Sequence, residues 1–501
     1  MHATQEEGPG WVDRTMVDNM GLFPLAVERY LNRAVAIHAP GVTTVTNAAR
    51  YYALHGLVAS EAVTRGLSNS EAQHLLRRCE VVLGMATIAH QDADDHDRRW
   101  SPDAHGGDYL RRVVRTGPVE LTAAAGDDGS SYARAKWGFW GPYRGSEMTL
   151  QVLSTDSLTP GPAYRDAETR AVLGPILEIA ASATALARSD FVGLEHLCLC
   201  QTNLGQDAAW LSHRFAGDIV AGGVAGVLGQ TMRIIASAIT TTAINSEDDV
   251  ADFIRYDHRL LTHPRLVGHD ATRRWRGITL RHQSVRAWRY LWEQICGHIE
   301  AKGAIFLDEL RHWFMDAAPD ASVDSFVASL PATSNTNGQP LPAESHATNV
   351  SQDIVIQCLS VLALGARRLR ELDGLELLGF QGEPHAAAAV EELSPHWMAA
   401  SLNSWADRPM TEFYGHLLDV LLNRSQRVAM RKSTFDTKTG RFVFPARIHI
   451  RDGIAFSVFP ERARPPVLRI ERLMFMGEQV GLFARDNDGR WQLGDRGELV
   501  A

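Results

Sequence analysis

Chemistry-bearing side chains crowd into one short stretch of the chain, HQDADDHDRRW, residues 90–100. Imidazoles and carboxylates hold a divalent metal when they converge on one point. His90, Asp92, Asp94, His96 and Asp97 supply such donors. A metal-dependent phosphohydrolase or nuclease would use His90, His96 and Asp97 as its catalytic residues, with His96-Asp97 as the central pair. That site needs one further His upstream and one Asp downstream on packed helices. His74 and Asp108 fill those places only arbitrarily. The spacing is not that of a calcium-binding EF-hand loop, because the Gly at the sixth position and the Glu at the twelfth are missing. Arg98 and Arg99 lie beside the acids in the sequence and are expected to neutralise them. The favoured expectation is a solvated acidic loop with no cofactor, and the metal enzyme is the alternative.

A second donor group is Cys198-Leu199-Cys200, with His196 just before it. As a zinc site it lacks a second pair at a suitable spacing, so buried core thiols are expected. The five cysteines are odd in number and scattered, which argues against a disulfide framework and for a reducing cytoplasm. GGVAGVLGQ (Gly222, Gly223, Gly226, Gly229) neither follows a strand nor carries the Gly-Lys-Ser/Thr of a phosphate loop. Close helix packing through small residues is the expectation there.

Basic residues form the other lead. The net charge of −9 falls wholly within residues 1–250. The neutral remainder holds two basic windows. Residues 265–289 carry seven Arg against one Asp, including Arg273, Arg274, Arg276 and Arg281 around Trp275. Residues 420–451 carry eight Lys or Arg against one Asp, including Arg424, Arg427, Arg431, Lys432, Lys438 and Arg441. Guanidinium groups bind phosphate bidentately and indoles stack on bases or fill cores. Both windows are expected to contact nucleic acid, the second more than the first. The competing expectations are a solvated face, pairing with acids of the N-terminal half, and a contact with an acidic protein.

These residues need elements to position them. SNSEAQHLLRRCEVVLGMATIAH predicts a helix capped by Ser68 or Ser70, with Glu71 in its first turn and an end near His90. The 90–100 stretch is then a loop at a helix C-terminus. ATRRWRGITLRHQSVRAWRYLWEQICGHI predicts a helix with a break at Gly277. Residues 330–349, polar and Pro-bearing, read as a linker. KTGRFVFPARIHIRDGIAFSVFP alternates, with hairpin signals at Thr439-Gly440 and Asp452-Gly453. Near the C-terminus a helix precedes two strands joined by a turn at Asp486 to Gly489. The first residues carry acids and no apolar signal core, so no secretory signal is expected. The apolar run from Ile219 is broken by Arg233 and reads as core helix, not a membrane span.

GWVDRTMVDNMGLFPL, PGVTTVTNAARYYAL and WGFWGPYRGSE resemble, in that order, segments of uncharacterised bacterial proteins of unknown function. The resemblance covers about the first 150 residues. It implies no activity and no catalytic residue. Some such proteins are similar to companions of helicases and nucleases in phage-defence loci. Arg50, Tyr51 and Tyr52 are expected to pack against Trp137, Phe139, Trp140 and Tyr143.

The expected fold is mainly α-helical and multi-domain, with a small α+β, winged-helix-like C-terminal domain. Residues 1–12 form a tail and 13–329 a helical domain with a break near 150–165. Residues 330–349 link it to 350–501. The expected function is a non-enzymatic cytoplasmic subunit of a DNA-targeting complex. Its partners would be DNA and other protein subunits, a helicase or nuclease among them, with no membrane. A pure protein scaffold is the third reading.

Overall fold

The computed structural model describes residues 23–501 apart from 92, 94–95, 97–101, 128–130, 155–157, 218–223, 352, 383–390, 438–439, 459 and 464–465. It is mainly helical, with small antiparallel sheets concentrated toward the C-terminus. Two compact units interleave along the chain. The first comprises the described part of Met1–Ala34, with Arg255–His258 and Arg273–Pro466. The second comprises Val35–Ile254, Arg259–Thr272 and Val467–Ala501. No described helix is long and apolar enough to cross a membrane.

The first unit is organised on residues 273–302 of the helix Asp270–Lys302, which runs unbroken through Gly277. Gly277 is needed for closeness, not for a bend. A Cβ there would collide with the Glu376 carbonyl, and one at Gly379 would collide with the Arg274 carbonyl. Trp275, Trp288 and Trp292 are buried in the core, and Trp288 Nε1 donates to the Leu393 carbonyl at 3.0 Å. The 330–349 stretch, expected as a linker, holds the helix Ala343–Val350. Buried Glu344 there accepts from Arg368 at 2.8 Å, and Arg368 also donates to the Thr333 carbonyl. A buried ion pair fixes this segment, which polarity alone does not reveal. Strand Ile454–Ser457 pairs with Ala304–Phe306 on one side and Ile448–Arg451 on the other, all antiparallel. Asp452 and Gly453, at φ 52° and 77°, make the two-residue turn that their sequence signals.

In the second unit the helix Asn69–His90 packs with Arg50–Arg65 and Asp166–Ser182. Ser68 caps it in a reciprocal capping box with Glu71. Helix Val224–Thr241 contains Gly229, where a Cβ would strike the Ala216 carbonyl. Close packing is thus served by Gly229, whereas a Cβ at Gly226 would meet nothing within 4 Å. Gly222 and Gly223 lie outside the described residues. The C-terminal helix Ile470–Gln479 and the hairpin Phe483–Arg485/Trp491–Leu493 form as the sequence predicts. They belong to this unit, so 350–501 is not one body. The Gln479 side chain accepts from Ala49 N at 2.7 Å and donates to the Asn47 carbonyl at 2.9 Å. Residues near 150–165 run inside the same unit without a boundary.

Candidate functional site

His90 is the last residue of its helix. Beyond it, Ala93 N donates to His90 O at 3.0 Å and His96 N donates to Ala93 O at 3.3 Å. This sets the two imidazoles edge to face, with ring centroids 5.3 Å apart. Cys198 and Cys200 arrive from a distant segment, at the start of the 3₁₀ turn Leu199–Leu204. One donor atom from each of His90, His96, Cys198 and Cys200 lies within 4.8 Å of every other. His90 Nδ1 stands 3.3 Å from Cys200 Sγ. His90, Cys198 and Cys200 are buried, and neither ring nitrogen of His96 meets a hydrogen-bond partner among the described residues.

The cysteine turn is held from two sides. Leu199 N donates to Thr87 Oγ1, on the His90 helix, at 3.4 Å. Buried Arg50 donates from Nη1 to the carbonyls of His196 and Cys198, each at 2.7 Å. Asp207 anchors that guanidinium through Nε at 2.9 Å. Backbone and amide donors already point at sulfur: Cys200 N at Cys198 Sγ and Gln201 Nε2 at Cys200 Sγ. His196, His74 and Asp108 are exposed and stand outside the group. Asp92, Asp94 and Asp97 lie outside the described residues.

A second buried cluster occupies the middle of the same helix. His55 Nδ1 meets Glu147 Oε1 at 2.5 Å and Nε2 meets Glu80 Oε1 at 2.9 Å, all fully buried. Glu80 also accepts from the Tyr132 hydroxyl and from Phe139 N. Burial alone would push the His55 imidazole down, but the two carboxylates outweigh it and carry it up to about 9. Nearby His105 meets the Tyr143 hydroxyl and no carboxylate among the described residues, and burial pushes it down to about 4. Gly138, at φ 55°, makes room for this cluster, since a Cβ there would run into Tyr132 and Glu80. Tyr51 and Tyr52 each lie 5.4 Å from the Tyr143 ring.

The basic windows part company. Arg276 and Arg281 are buried, Arg273 is exposed and Arg274 half-buried. Arg276 donates to the Asp257 carbonyl at 2.6 Å and faces Glu376 at 3.7 Å. Burial pushes Arg281 down to about 10. Further along, buried Arg289 meets Glu28 at 2.8 Å and Glu461 at 3.3 Å. Much of the first window is therefore core, and Arg276 and Arg281 are removed from a nucleic-acid surface. The second window lies largely at the surface. Arg427, Arg431 and Arg441 are exposed, while Arg424 is mostly covered and tied to Glu392 at 3.3 Å. Lys438 lies outside the described residues. Arg29, Arg424, Arg427, Arg431 and Lys432 wall a cleft of about 480 Å³ with Glu391 and Glu392.

Fold and sites together define a mainly helical protein with a buried two-histidine, two-cysteine cluster in one unit and a basic cleft in the other. No family model matches the chain, and neither do curated proteins or solved structures. Sequence reasoning set Cys198 and Cys200 aside and did not single out Glu80. A carboxylate in the apolar run around Cys79 and Val81 was the signal for the latter.

Proposed function

We propose that the first unit binds single-stranded nucleic acid along the helix Met410–Lys432 and the hairpin that follows it. The observation carrying this reading is a cleft walled by five cations and two carboxylates, whose last lining residue, Lys432, is followed in the chain by a hairpin with an exposed aromatic pair. Strands Thr434–Asp436 and Arg441–Val443 place Phe435 directly opposite Phe442, so both rings stand on one face. They are 60% and 54% exposed. Large aromatics at that exposure gain little from folding and offer a stacking platform for bases. Arg441 sits opposite Asp436 on the other face of the hairpin. Arg427 and Arg431 supply the guanidinium groups for phosphate. Helix and hairpin here are where the basic window would place a DNA-facing helix and wing, while the helix and two strands behind the winged-helix-like reading, Ile470–Gln479 with Phe483–Arg485 and Trp491–Leu493, lie in the second unit. Membership of a DNA-targeting complex, with further protein subunits, is the wider form of the same proposal.

Fluorescence anisotropy of a labelled single strand across a salt series tests it. The logarithm of affinity should fall linearly with that of salt, and Arg427→Glu with Arg431→Glu should flatten the slope by roughly 0.7 per lost phosphate contact. Phe435→Ala with Phe442→Ala should cost about 1–3 kcal/mol per unstacked base. Absence of binding at low salt overturns the reading and leaves the surface to a protein partner.

A further inference from the structure

We propose that His90, His96, Cys198 and Cys200 bind one zinc ion in a closed, structural, tetrahedral site. The donor set is the first reason. Two thiolates and two neutral imidazoles around a divalent cation sum to zero charge. That allows burial where a bare ion pair would be costly. The geometry is the second. Zinc bonds of about 2.3 Å to sulfur and 2.0–2.1 Å to nitrogen set tetrahedral donors about 3.3–3.8 Å apart. The four atoms here already lie within 4.8 Å of one another, and the His90–Cys200 pair is at 3.3 Å. Closing on an ion shortens the widest separation by about 1–1.5 Å at most. The third is the His96 ring, whose two buried nitrogens have no described partner. A buried polar group without a partner is costly, and a metal bond removes that cost.

A close Cys-His pair also suggests a nucleophile and its base. Cys200 and His90 are each only 3% exposed. No substrate reaches such a thiol without opening the unit, and a nucleophilic dyad does not explain the second thiol and second imidazole beside it. A hydrolytic zinc needs an open position for water, whereas here the protein supplies all four donors. The reading therefore replaces a metal-dependent hydrolase at this loop with a staple. The ion would join the end of the His90 helix to a turn 110 residues away. It would release a proton from each thiol on binding. The Thr87 and Arg50 contacts hold that turn in place for it.

Elemental analysis of the full chain, expressed with zinc and dialysed, is the first test. The expected result is one zinc per chain, retained in Cys358→Ser and lost from Cys198→Ser/Cys200→Ser. No stoichiometric metal in the folded wild type, or unchanged zinc in the double variant, overturns the site. The double variant tests nothing if it fails to fold, so the wild type carries a second measurement. Its cysteines are alkylated with and without a strong chelator and mapped by peptide mass spectrometry. Labelling of Cys198 and Cys200 that rises on chelation, with Cys79, Cys296 and Cys358 unchanged, supports the site. Equal labelling before and after overturns it. Cobalt(II) in place of zinc should show thiolate charge transfer and the intense visible bands of a tetrahedral ion. A weak six-coordinate spectrum counts against this donor set.

Discussion

The His55 cluster and the His90 cluster hang on one helix, with Glu80 and His90 about 15 Å apart along its axis. Both bury imidazole nitrogens, yet they solve the problem differently. At His55 each nitrogen meets a carboxylate from another part of the fold, so the imidazole is fully paired in protein atoms, although Glu147 Oε2 is buried without a described partner. At His96 the neighbours are an imidazole and two thiols, and the ring nitrogens meet no described partner. The difference separates a buried group that serves packing from one whose partner comes from outside the chain. Burial of a histidine does not distinguish the two cases, whereas the partners of its nitrogens do.

The largest expected effect is on the His90 cluster. A strong chelator should lower the thermal midpoint of the full chain. Removal of an ion held a thousandfold above its dissociation constant costs about 4 kcal/mol. Calorimetry with and without chelator reads this, and an unchanged midpoint would erase the contrast between the clusters. Next in size is Glu80→Ala, which leaves the buried His55 imidazolium with Glu147 alone and takes the acceptor from the Tyr132 hydroxyl and Phe139 N. It should destabilise by about 3–5 kcal/mol in urea unfolding while leaving metal content intact. Loss of metal in that variant would mean the clusters are not independent.

pH should separate them by sign. The His55 imidazole is raised from 6.5 to about 9. The folded state therefore binds its proton more tightly than the unfolded chain does. Its stabilisation, roughly 3 kcal/mol, is complete below about pH 6.5 and is lost as pH rises through 9. Burial also pushes Glu147 up, which acts in the same direction. A bound metal competes with protons at its ligands, so that cluster should weaken toward acid. Unfolding curves between pH 5 and 9, run on metal-loaded and chelated protein, should show the two trends cross. The smallest effect belongs to the shared helix. Ser68→Ala removes its cap and should cost about 1 kcal/mol without altering metal content or the pH trend.

Several elements were legible along the chain because they obey local rules. Ser68 and Glu71 satisfy each other's backbone groups within one helical turn, so the helix start could be read directly. Asp452-Gly453 turns the chain by backbone preference alone. Gly277 misled for the opposite reason. Its role is a close approach to Glu376, a residue about 100 positions away, and a lone glycine reads as a break. The 330–349 stretch reads as a linker because the pairing of Glu344 with Arg368 cannot be inferred from either residue. The Arg-rich window at 265–289 reads as surface because arginine is seldom buried, and its carboxylate partners come from distant segments.

By itself, then, the sequence determined helix starts, hairpin turns, a helical majority and the presence of imidazole and thiol side chains at His90, His96, Cys198 and Cys200, the thiols reading as core. These follow from short-range preferences and residue chemistry. Only the tertiary structure decided which donors meet. It brought a Cys-x-Cys turn to the two histidines across 110 residues, gave His55 its two carboxylates and drew Arg276 and Arg281 into the core. The physical reason is that coordination and charge pairing depend on distances of a few ångströms. Those distances are set by packing between segments that have no regular spacing in the chain.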